Sequence, residues 1–237
     1  MSVHALLISN SRQHGGEFLA HCQSHVVEAF GPSAALVAFV PYARADHDDY
    51  AAIATAAFAR MGYTCRSVHA TTDPHALLAE ARAVFVGGGN TFRLLARCQQ
   101  SGLLDAIRRR VREGLVYSGA SAGANLACPT IKTTNDMPIV MPRDFSALGL
   151  IPFQINPHYL DPDLSSTHMG ETRPQRIAEF HEENSTTVVG LREGGVLRVR
   201  DGRLTVLGAP SLRIFERGRP AREIAAGAEA SFLLASE

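Results

Sequence analysis

At 237 residues, 46% of them hydrophobic, the chain is long enough to bury one substantial core, and a single domain over residues 1–237 is expected. Its 23 Lys plus Arg are balanced by 23 Asp plus Glu, which leaves no cationic surplus to follow a phosphate backbone or an anionic lipid surface, so neither nucleic acid nor membrane is an expected partner. No run approaches the roughly 18 apolar residues of a membrane span, no basic and apolar leader opens the chain, and Cys22, Cys65, Cys98 and Cys128 form neither CxxC pairs nor a dense framework, so a reduced, cytoplasmic setting is expected.

The first expected strand is the apolar run Ala5 to Ile8. Glu17 to Phe30 then carries apolar residues at helical spacing, with Gly31 where a helix C-terminus favours a residue free of a Cβ. Leu36 to Val40 reads as a strand, Tyr50 to Met61 as a helix closed by Gly62, and Cys65 to His69 as a strand. At Asp73-Pro74 the carboxylate can accept from free first-turn amides while proline presets the backbone angle, so a helix starts there. Ala83 to Val86 and Leu115 to Ser118 are further strands. Short apolar runs alternating with amphipathic stretches imply β-α units on a mainly parallel sheet flanked by helices.

From Cys128 to Arg143 and from Asn156 to Arg173 the chain is rich in turn residues, and long irregular segments of compact domains often carry function. Thr187 to Leu191, Val196 to Val199 and Leu204 to Leu207 are closely spaced strands, the last two joined at Asp201-Gly202, so the C-terminal part is expected to be antiparallel. There is no internal repeat or low-complexity tract.

Gly119-Ala120-Ser121-Ala122-Gly123 fits G-x-S-x-G between an expected strand and an expected helix. A serine on such a turn is pushed out of the sheet, and the helix N-terminus behind it favours the negative charge that develops in acyl transfer. The plain alternative is a tight turn of common residues. A second cluster, Gly87-Gly88-Gly89-Asn90, ends the neighbouring strand and leads into a helix near Thr91. An oxyanion hole needs two preorganised donors, and the amide of Ala122 with one from Gly88 or Gly89 would supply them. Such a turn also suits phosphate, but no G-x-G-x-x-G or Walker lysine accompanies it.

A serine nucleophile needs a base, and the base needs a group to hold its tautomer. His158, in Asn156-Pro157-His158-Tyr159, follows the apolar run Ile151 to Ile155 and should emerge at a strand end. His21 and His25 lie one helical turn apart without a third metal ligand, and read as surface helix residues. Asp136 and Glu193, both in turn-rich contexts, are the two candidates to orient the imidazole, and residue chemistry leaves the choice open.

Gly87 to Leu95 (GGGNTFRLL), SAGANLACPTIKTTNDMPIV from Ser121, INPH ending at His158, and GETRPQRI from Gly170 closely resemble the peptidase E family of serine peptidases, family S51. The resemblance implies a fold similar to class I glutamine amidotransferases, a flavodoxin-like three-layer sandwich. It implies hydrolysis of dipeptides with N-terminal aspartate, with neither metal nor cofactor required. Ser121 is then the nucleophile, His158 the general base and Asp136 the third member, with Glu193 as competitor. Arg173 would pair bidentately with the aspartyl side chain, and Asn90 is a second expected substrate-binding residue. The chain departs from the family pattern at Ala120, where a bulkier aromatic is usual, and at Arg192, where a proline is usual. A cyanophycinase-like hydrolase of a larger aspartate-containing substrate is one rival, and a non-catalytic binding protein on the same scaffold is another. For the expected small-peptide enzyme, monomer and homodimer stay equally open.

Overall fold

The computed structural model describes residues 3–32, 35–163, 165, 167 and 169–235. The first strand, β1 (Ala5–Ile8), leads through a short 3-10 turn (Ala20–Cys22) into α1 (Gln23–Phe30). Then follow β2 (Leu36–Val40), α2 (His47–Arg60), β3 (Thr64–Ser67), α3 (Pro74–Glu80), β4 (Ala83–Val86), α4 (Thr91–Gln100), α5 (Leu103–Arg112), β5 (Val116–Ala120) and α6 (Ala122–Leu126). A long irregular stretch precedes β6 (Gln154–Pro157), after which come α7 (Arg173–Glu183), β7 (Val188–Leu191), β8 (Val196–Arg200), β9 (Arg203–Leu207), β10 (Leu212–Phe215) and β11 (Arg222–Ile224).

Seven strands form one sheet in the order β3-β2-β4-β5-β1-β8-β9. The first five are parallel, and β8 and β9 extend the edge in antiparallel fashion. Alternation along the parallel strands splits the core between two faces. Leu6, Ile8, Val37, Phe39 and Phe85 pack with Val26 and Phe30 of α1 and Tyr50, Ala54 and Phe58 of α2. Leu7, Ala38, Val40, Val84 and Val86 pack on the other side with Leu77 of α3, Leu94 and Leu95 of α4 and Ile107 of α5. Helices thus cover both faces, as the β-α rhythm predicts.

The helix signals act locally as expected. Asp73 caps α3 by accepting from His75 N and Ala76 N at 3.0 and 2.9 Å, with Pro74 as the first helical residue. Gly31 and Gly62, at φ 78° and 85°, sit just past the ends of α1 and α2. Several boundaries differ from expectation by a few residues, two of them for a visible local reason. The helix predicted from Glu17 begins only at Gln23, because Leu19 takes a left-handed φ of 61° that buries it and breaks the helix. The strand predicted to His69 stops at Ser67, where a 3-10 turn (Val68–Ala70) buries Val68.

The C-terminal strands do more than extend one sheet. A second, four-stranded sheet runs β11-β10-β7-β6, in which β10 is antiparallel to both neighbours while β6 and β7 are parallel. The antiparallel expectation therefore holds for β8–β9 and around β10, and not for β6–β7, whose crossover is α7. Ile155, Val189, Leu191 and Ile214 of this sheet join the same apolar cluster as Leu7 and Val86, so the core is continuous across both sheets.

Candidate active site

The carboxyl ends of β1, β4 and β5 meet those of β6 and β7, and every candidate residue lies at or near this seam. Ser121 directly follows β5 with φ 55° and ψ −109° and stands at the N-terminal boundary of α6 without a side-chain capping bond, so its side chain projects from a backbone corner that L-residues rarely adopt. The corner is enforced by volume: a Cβ on Gly119 would strike the carbonyl of Gly123, and one on Gly123 would strike the carbonyl of Val86. Tyr117 Oη donates to Gly123 O at 2.6 Å, and Ser121 N donates to Ile8 O at 2.9 Å, so the turn is tied to its own strand and to β1.

His158 Nε2 lies 3.1 Å from Ser121 Oγ, and His158 Nδ1 lies 2.6 Å from Glu193 Oε1. A carboxylate only accepts, so Nδ1 carries the proton and Nε2 is left as acceptor for the serine hydroxyl. The His158 and Glu193 side chains are 40% and 52% exposed, so the pair orients the ring and contributes little to stability.

Asp136, the expected third member, has other partners. Its Oδ2 accepts from Thr91 N at 2.8 Å, Thr91 Oγ1 at 2.6 Å and Thr134 Oγ1 at 3.1 Å, and no hydrogen bond joins it to His158. The geometry thus corrects the sequence-based preference. Glu193 follows the end of β7, which pairs with the strand that ends just before His158, whereas Asp136 sits at the N-terminus of α4, where free amides attract a carboxylate.

The glycine cluster lies where it was expected. A Cβ on Gly88 would be 3.1 Å from Ser121 Cβ, which places that backbone beside the nucleophile, and one on Gly89, at φ 139°, would meet Ala43 O at 2.6 Å. Ala122 is the first residue of α6, so its amide has no acceptor within the helix. Asn90 caps α4: its Oδ1 accepts from Arg93 N at 3.0 Å and its Nδ2 donates to Met137 O at 2.8 Å. Both ends of that amide hold the fold together.

A cavity of about 270 Å³ is lined by Ser121, His158, Asn125, Asn135, Asp136 and Arg173 among others. Arg173 opens α7 behind Thr172, which forms a capping box with Gln175. It makes no hydrogen bond or ion pair with any described residue, and burial, followed by repulsion from Arg176, holds its pKa below the usual guanidinium value. It remains charged, being an arginine.

Three supports escaped sequence reasoning. Ser9 Oγ accepts from His158 N at 2.9 Å and donates to Leu191 O at 2.8 Å, while Ser9 N donates to Gly195 O at 3.0 Å. Asn10 Oδ1 accepts from Gly194 N at 2.7 Å. Both residues are buried, so the end of β1 binds the serine turn, the histidine strand and the Glu193 turn together. A polar pair just past the carboxyl end of a parallel strand was the available signal. Thirdly, Arg192 forms a bidentate pair with Asp161 at 2.8 and 2.9 Å and reaches Glu223 at 2.9 Å, linking the residue before Glu193 to the loop after His158. His21 also differs from expectation: both of its ring nitrogens are buried without a hydrogen-bond partner, and that burial lowers its pKa. Among the described residues no group of His, Cys, Asp and Glu is arranged to hold a metal ion.

A three-layer α/β fold with serine, imidazole and carboxylate in hydrogen-bonded series defines a serine-type hydrolase. The family model "Peptidase family S51" matches residues 5–207, and the chain belongs to that family. It is 54% identical over 232 residues to "Peptidase E" of Streptomyces coelicolor, covering 98% of this chain and 95% of that protein. It is 44% identical over 231 residues to "Probable alpha-aspartyl dipeptidase" of Drosophila melanogaster, covering 97% and 96%. The crystal structure of a peptidase from an acI-B1 Actinobacterium shares the fold, with a TM-score of 0.71 at 16% identity over 98% of both chains.

Proposed function

We propose that the chain is a serine dipeptidase that hydrolyses dipeptides with an N-terminal aspartate. The observation that carries this reading is the placement of an unpaired guanidinium, Arg173, in one small cavity with a serine already hydrogen-bonded to an imidazole. A residue-sized space with a fixed cation suits a short anionic substrate, and the Drosophila relative's name specifies the aspartyl residue. The same small volume favours a dipeptide over the larger branched substrate of a cyanophycinase-like enzyme.

Ser121 Oγ attacks the peptide carbonyl as its proton passes to His158 Nε2, and Glu193 holds the imidazolium through Nδ1. The amide of Ala122, with that of Gly88 or Gly89, receives the developing oxyanion. His158 then protonates the leaving amine, and a water activated by the same ring hydrolyses the acyl-enzyme. Arg173 pairs with the aspartyl carboxylate. We read residues 1–237 as one catalytic domain of the class I glutamine amidotransferase-like, flavodoxin-like type, acting in the cytoplasm on small peptides, without nucleic acid or membrane as partner.

The test is hydrolysis of Asp-Leu, Glu-Leu and Ala-Leu by wild type and Ser121→Ala, with a chelator present. Cleavage of Asp-Leu alone, abolished in the variant, is expected. Folded wild type that cleaves none of the three would sink the dipeptidase reading, and activity that survives in Ser121→Ala would remove the nucleophile.

A further inference from the structure

We propose that Asp136 is the anchor for the α-ammonium group of the substrate, a role that rests on the dipeptidase reading and makes this carboxylate a specificity residue. An enzyme for N-terminal aspartate must hold a zwitterion: a β-carboxylate, an α-ammonium and the scissile carbonyl between them. The catalytic cavity is lined by Ser121 and His158 together with one cation, Arg173, and one anion, Asp136, whose opposite charges attract each other. Glu193, the other acid near the seam, is engaged with His158 Nδ1 and is absent from that lining.

The two oxygens of Asp136 have different duties. All three of its hydrogen bonds arrive at Oδ2, from the amide and hydroxyl of Thr91 and the hydroxyl of Thr134. Oδ1 accepts from no described residue. Three hydrogen bonds to one oxygen fix the carboxylate plane at the start of α4. The segment that carries it is equally fixed. Thr133 Oγ1 donates to Ile155 O at 2.9 Å, Asn135 Nδ2 donates to Pro157 O at 2.8 Å, and Asn156 Nδ2 donates to Asn135 Oδ1 at 2.8 Å. Asp136 is thereby strapped to the strand that ends one residue before His158. A carboxylate immobilised on one oxygen and open on the other is a preorganised acceptor for an ammonium group, and it accounts for a requirement for a free N-terminus without a further residue.

The experiment compares Asp-Leu with succinyl-Leu, which retains the β-carboxylate and the scissile bond and lacks only the α-ammonium. In wild type Asp-Leu is preferred; in Asp136→Asn that preference in kcat/KM falls by about tenfold or more, the scale of one charge-assisted hydrogen bond. The loss falls on KM for Asp-Leu and exceeds any change in succinyl-Leu hydrolysis or in labelling of Ser121 by a fluorophosphonate. Equal losses on both substrates with slowed labelling would overturn the assignment and leave Asp136 as a support of the glycine loop through Thr91. An unchanged preference would overturn it as well. If Asp136→Asn does not fold, wild type alone decides: inhibition by L-aspartate must be stronger than by succinate or N-acetylaspartate, and the reverse order refutes the anchor. Failure of the underlying reading shows separately, as wild type that is labelled at Ser121 yet cleaves no Asp-Leu.

Discussion

The two halves of the catalytic seam are held by different physics. On the Ser121 side the backbone is fixed by excluded volume: Gly119 and Gly123 admit no Cβ, Gly87 would place one 2.6 Å from the Tyr50 ring, and the flanking strands are buried in the parallel sheet. On the His158 and Glu193 side the residues leave short strands of the smaller sheet, stand half exposed, and are fixed by side-chain hydrogen bonds from Ser9 and Asn10 and by the Arg192 ion pairs. Close packing tolerates no partial change, whereas a hydrogen-bonded frame weakens by increments. The nucleophile side is therefore expected to fail in stability and activity together, and the imidazole side to lose activity while the fold persists.

The sharpest separation comes from Glu193→Gln. A glutamine amide can donate to Nδ1 and so permits the wrong tautomer, and it brings no negative charge to the imidazolium, so kcat should fall roughly a thousandfold or more with Tm nearly unchanged; a decrease under tenfold would deny Glu193 its orienting role. Gly123→Ala tests the opposite side. Its methyl group meets the Val86 carbonyl, and a destabilisation of about 3 kcal/mol is expected in denaturant titration, with activity lost in parallel. A folded, active variant would contradict the steric account.

Ser9→Ala should lie between these. It leaves His158 N without its buried acceptor, while Leu191 O keeps Tyr159 N, at a cost of about 1–2 kcal/mol. It should also lower kcat about tenfold at unchanged KM, because the φ of 50° at His158 loses its tether. Loss of stability with kcat intact would make Ser9 merely structural.

The Arg192 ion pairs predict a pH-dependent effect. Hydrogen bonds from Arg192 hold the Asp161 and Glu223 carboxyls below their ordinary pKa values. A folded-state pKa that is depressed gives stability that is present above the unfolded value, about 4, and is lost as pH falls through the folded value. Arg192→Met should therefore lower Tm at pH 7 and converge on wild type once the pH has fallen below the depressed folded values. A Tm difference that is constant with pH would assign the loss to packing of Arg192 over the Tyr159 ring, 5.5 Å away. The smallest effect is expected from thiol reagents. Burial pushes all four cysteines up to about 12, so native protein at pH 8 should resist alkylation and keep its activity.

The features legible from sequence were those encoded over a few residues. β1, β2 and β4 carry the predicted boundaries because contiguous apolar runs between polar turns are buried on both faces of a parallel sheet, and the G-x-S-x-G turn is specified by its own glycines. The cap at Asp73, and the positive φ values of Asp201 and Gly202 between β8 and β9, are equally local. Pairings between distant residues were decided by tertiary structure. Residue types alone left Asp136 and Glu193 equivalent; the parallel pairing of β6 with β7 brings the second to His158, and the start of α4 draws the first to Thr91. Ser9 and Asn10 gain their role from contacts 149 and 184 residues away in the chain. A hydrogen bond depends on position in space to within tenths of an ångström, and sheet register, which no short window of sequence contains, sets that position.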